Sequence, residues 1–78
     1  MDKDLLNKLE TLRVKYLKLK HRYIDCYNIY RMGKLDKKMN AISNEMYDIL
    51  IKLTKNNDDA LIKLKDFQLG LIDNFDLN

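Results

Sequence analysis

Apolar side chains recur at alternating steps of four and three residues from Leu5 through Leu9, Leu12, Tyr16, Leu19, Tyr23 and Cys26 to Tyr30. Such a seven-residue recurrence keeps one stripe of an α-helix turned toward a neighbouring helix along its whole length. The spacing returns in Leu35, Met39, Ile42, Met46, Ile49 and Leu53. Two matching stripes separated by Gly33 predict two long helices that reverse there, because glycine closes a helix in the left-handed conformation. Proline is absent and only two glycines occur in 78 residues, while the β-branched residues fall at helical intervals instead of alternating. A sheet has nothing to build on.

The expected fold is all-α: an antiparallel long-helix hairpin with a short third helix, coiled-coil-like, forming a dimeric helical bundle from one domain over residues 1–78. The first helix is expected over about residues 3–32, opened by Asp2 or Asp4, whose carboxylates suit free backbone amides. The second is expected over about 35–55 and the third over about 59–72, separated by the short polar residues Asn56, Asn57 and Asp58. Gly70 either ends the third helix or sits inside it, and the tail from Asp73 to Asn78 is expected to fray.

Reversal at Gly33 would place Leu53 opposite the neighbourhood of Arg13 and leave the first turns of helix 1 projecting beyond the second helix. Exposure of each uncovered leucine costs roughly 1.5 to 3 kcal/mol. Leu5, Leu6, Leu9 and Leu12 are therefore the expected self-association surface of a homodimer.

The formal charge of +3 is unevenly spread. Residues 1–40 carry eleven lysines and arginines against five acids, a net +6, and residues 41–78 carry four against seven, a net −3. Lys8, Lys15, Lys18 and Arg22 share one side of the first helix and are the candidate nucleic-acid contacts, since such a ridge can follow phosphates without reading sequence. The same polarity also fits the acidic half of another subunit.

Polar residues do not converge on a reaction. The single Cys26 and single His21 project from opposite sides of the helix, so neither a Cys/His pair nor a zinc shell can form within it. Cys26 is expected as a small buried hydrophobe and His21 as a solvated residue. Glu45 and Asp48 lie one turn apart, as carboxylates on solvated helices commonly do, and no phosphate-cradling glycine loop is present. No catalytic residue, metal or cofactor is expected, and the chain is not read as an enzyme. With no apolar run long enough for a bilayer and no signal segment, a cytoplasmic or otherwise intracellular setting without a membrane partner is expected.

Tyr16, Tyr23 and Tyr30 recur every seven residues and belong to the predicted seam, whereas Tyr27 and Tyr47 fall outside it. Tyrosine offers a large amphipathic contact area, so Tyr27, Tyr47 and the neighbouring cations Arg31 and Lys34 are the candidate protein contacts. The expected role is a small intracellular protein–protein interaction module, a regulator, inhibitor or assembly component that acts as a homodimer on a larger protein. The alternative is a nucleic-acid-binding accessory protein using the basic ridge.

Overall fold

The computed structural model describes residues 2–75 and 77. It contains three α-helices and, among the described residues, no strand: α1 (Lys3–Ile24), α2 (Ile29–Thr54) and α3 (Asn57–Gln68). At 1.5 Å per residue these are about 33, 39 and 18 Å long. The all-α hairpin with a short third helix agrees with the periodicity of the sequence.

The position of the hairpin turn does not. Reversal occurs over Asp25–Asn28, so α1 ends eight residues before the expected limit and α2 begins six residues early. Asn28 opens α2 with its side-chain oxygen, which accepts the Tyr30 and Arg31 amides at 2.9 and 3.2 Å. Gly33 lies within the helix, exposed, with no atom within 4 Å of where a Cβ would stand. A short polar cap decides the reversal here, and the glycine is a passenger.

Moving the turn upstream changes what faces what. The beginning of α1 now lies alongside the end of α2, and Leu9 and Leu12 are buried in one core with Met46, Ile49 and Leu50. The expected self-association surface is corrected accordingly: Leu9 and Leu12 are 4% and 6% exposed, and Leu5 and Leu6 are half-buried. Leu9 and Leu12 offer almost no surface to a second copy, while Leu5 and Leu6 keep part of theirs.

Asn56 caps α3 by accepting the Asp58 and Asp59 amides, and α3 returns along the hairpin, burying Ala60, Leu64 and Phe67. Gly70, at φ +79°, closes it: the Gly70 amide donates to the Phe67 carbonyl and the Leu71 amide to the Asp66 carbonyl, the paired bonds of a Schellman ending. The chain then runs back along α1. Phe75 packs against Phe67 with ring centroids 4.8 Å apart, and Arg13 Nη1 donates to the Asp73 carbonyl at 3.0 Å. Arg13 also pairs with Glu10 and holds that carboxyl below the usual carboxylate range. The expected fraying is therefore corrected: Phe75 is buried and Leu77 half-buried, while Asp76 and Asn78 lie outside the described residues.

All of this packing is at one end. Among the described residues, every buried one belongs to 9–16, 43–50, 60–67 or is Phe75, and none of residues 17–42 is buried. The upper hairpin is two helices with no third layer, because α3 is too short to reach along it.

Candidate protein-contact surface

Ile24, Tyr27, Ile29 and Tyr30 cluster at the turn with 64%, 96%, 84% and 86% of their surface exposed. The turn itself explains this. Once α1 stops at Ile24, the heptad phase breaks across Asp25–Asn28, and Tyr30 emerges on the outside of α2 instead of continuing the seam. Cys26, expected in the core, sits half-buried in the turn with its thiol 3.6 Å from the Asn28 carbonyl oxygen. Tyr16 alone of the three heptad tyrosines is buried; Tyr23 is half-buried.

Of the candidate protein contacts, Tyr27, Arg31 and Lys34 are exposed at this end of the hairpin, whereas Tyr47 is half-buried against the core at the other. The structure brings the first three together and separates the fourth. Ile24, Ile29 and Tyr30 belong to the same surface and were hidden by the Gly33 reading. The signal that would have found them is the pair Asp25 and Asn28, two helix-ending side chains bracketing a reversal.

Lys8, Lys15, Lys18 and Arg22 are all exposed on α1. Among the described residues none is in an ion pair, and the one ion pair found is Arg13 with Glu10. The basic side of α1 adjoins an open groove along the α1/α2 seam, where Lys15, Lys18 and Arg22 stand beside Leu19 and Ile42. Arg22 also borders a second cleft, continuing toward the turn, with His21, Asp25, Cys26, Arg31 and Leu35. On the other side of the seam the cations are engaged: Lys20 Nζ donates to the Gln68 carbonyl at 2.9 Å.

Among the described residues no group of three or more His, Cys, Asp or Glu side chains is placed to hold a metal ion. No helix among them is long and apolar enough to cross a membrane. Comparisons with protein-family models, curated proteins and solved structures find no match, so what points to function is the geometry of this chain itself.

Proposed function

We propose that this chain is a non-enzymatic intracellular interaction module that offers the end of its hairpin to a larger protein. One observation carries the reading: Tyr27, Ile29 and Tyr30, each at least 84% exposed, are gathered at the one end of the molecule that has no covering layer. Burying each such side chain is worth roughly 1.5 to 3 kcal/mol, and within the chain nothing claims that gain. Aromatic residues flanked by arginine are also the groups that dominate binding energy where proteins meet. Self-association belongs to the reading too, though it cannot rest on Leu9 and Leu12, which the chain buries itself.

Affinity capture at physiological salt after nuclease treatment tests it. A stoichiometric protein partner held by the native chain, and lost from the Tyr27→Ser/Tyr30→Ser variant with helicity unchanged, is the expected result. A second reading, nucleic-acid binding, draws support from the exposed and unpaired row Lys8, Lys15, Lys18 and Arg22. It requires duplex or single-stranded binding that weakens steeply with salt and vanishes when Lys15, Lys18 and Arg22 are neutralised together.

A further inference from the structure

We propose that copies of this chain associate head to tail, the outer face of α3 from one copy seated in the basic groove of the next. The inference rests on the reading of the chain as an interaction module but uses the flank of the hairpin and α3, not Tyr27, Ile29 or Tyr30. The groove has a half-exposed apolar floor of Leu19 and Ile42, with Leu35 in the cleft that adjoins it at Arg22, and Lys15, Lys18 and Arg22 rise along its α1 wall. The outer face of α3 carries the complementary pattern. Asp59, Ile62, Asp66 and the capping residue Leu69 recur at i, i+3, i+7 and i+10, with Ile62 58% and Leu69 73% exposed. Asp59 is exposed and Asp66 half-buried; half-buried Lys63 borders the acids, and exposed Lys65 lies across the apolar pair from them.

The spacings match as well as the signs. Lys15, Lys18 and Arg22 also follow i, i+3, i+7, so Lys15 to Arg22 and Asp59 to Asp66 each span about 10 Å along a helix. Two acids can therefore lie against the basic wall while Ile62 and Leu69 meet the apolar floor. Pairing groove against groove would instead set the two rows of cations on each other, which like-charge repulsion disfavours.

The geometry also fixes the kind of assembly. α3 is held on the side of the seam from which Lys20 and Ser43 project, and the groove opens on the other, beside Leu19 and Ile42. The two complementary faces of one copy point in opposite directions, so one partner cannot satisfy both. Contact of this sort is heterologous and extends stepwise instead of closing as a two-fold dimer.

Sedimentation velocity on nucleic-acid-free protein tests this. The native chain should exceed twice 9.4 kDa as concentration rises and return toward 9.4 kDa as salt is raised from about 50 to 500 mM. Lys15→Glu/Lys18→Glu and Asp59→Lys/Asp66→Lys should each stay at one chain; Lys15, Lys18 and Asp59 are exposed and Asp66 is half-buried, and circular dichroism of each variant checks that its helicity is native. An equimolar mixture of the two variants restores both junctions, native α3 in native groove and lysine-bearing α3 in glutamate-bearing groove, so it should again exceed two chains. A particle that stays at 9.4 kDa at every concentration, or a dimer that survives both double variants, overturns the proposal. Neither result would touch capture of a partner through Tyr27 and Tyr30.

Discussion

Gln68 Nε2 donates to Ser43 Oγ at 2.9 Å, joining the last turn of α3 to the middle of α2. Ser43 is the buried polar side chain of the core, 6% exposed. With Ser43 so nearly covered, the amide of Gln68 is its side-chain partner across the α2/α3 contact and helps set how far along the hairpin α3 lies. Gln68→Ala should cost about 1 kcal/mol, and Ser43→Ala less if Gln68 turns back to solvent. Urea denaturation of the two single variants and the double variant measures the coupling. Full additivity would mean that the bond adds nothing to stability.

The turn at Asp25–Asn28 is tested by two opposite substitutions. Gly33→Ala should stabilise the chain by about 1 kcal/mol, since it removes a flexible residue from a helix interior with open space around it. Asn28→Ala should destabilise by about 1 kcal/mol through loss of the cap on two amides. If Gly33 were the reversal, the signs would exchange.

Burial, reinforced by the negative charge of Asp36, raises the Tyr16 hydroxyl above the usual phenol range. A raised folded-state value favours the neutral phenol, so this contribution is complete below the unfolded pKa and is lost as pH rises through the folded one. Stability of the native chain should accordingly fall above about pH 10 more steeply than that of Tyr16→Phe. Urea midpoints of both proteins on either side of that pH give the difference. Parallel curves would remove Tyr16 as the cause.

Phe75 lies eight residues beyond Phe67 in sequence and in ring contact with it. Phe75→Ala should cost about 3 kcal/mol, the usual price of emptying an aromatic site in a core. Asp73→Ala should cost little, because Arg13 binds the carbonyl and not the side chain at that position. Thermal melts of the two variants separate a packed tail from a frayed one.

Much of this fold is written in the heptad spacing, which places Leu9, Leu12, Tyr16, Met46 and Ile49 on facing stripes. Periodicity reports which face is buried, but it carries no record of where a run is interrupted when the break is itself an apolar segment. Residues 24–30 hold Ile24, Cys26, Tyr27, Ile29 and Tyr30, so hydropathy continues smoothly through the turn. Asp25 and Asn28 are the sole polar marks there, weaker to the eye than Gly33. The upstream position of the turn accounts for Cys26 leaving the core, Tyr30 facing outward and Leu9 and Leu12 being buried within the chain. Tyr27, Arg31 and Lys34 were legible because they lie near the turn under either assignment. The polarity of the tail predicts fraying, but its anchor depends on long-range contacts to Phe67 and Arg13 that no local pattern encodes.

The absence of any buried residue between 17 and 42 has a consequence for motion. Backbone amides there are protected mainly by their own helix, whereas those of 43–50 and 60–67 are released only when the packed base comes apart. Hydrogen exchange should divide the molecule into a fast-opening arm and a slow foundation, even though α2 runs unbroken through both. A binding partner that grips the arm would then slow exchange selectively in it, leaving the anchoring end as it was.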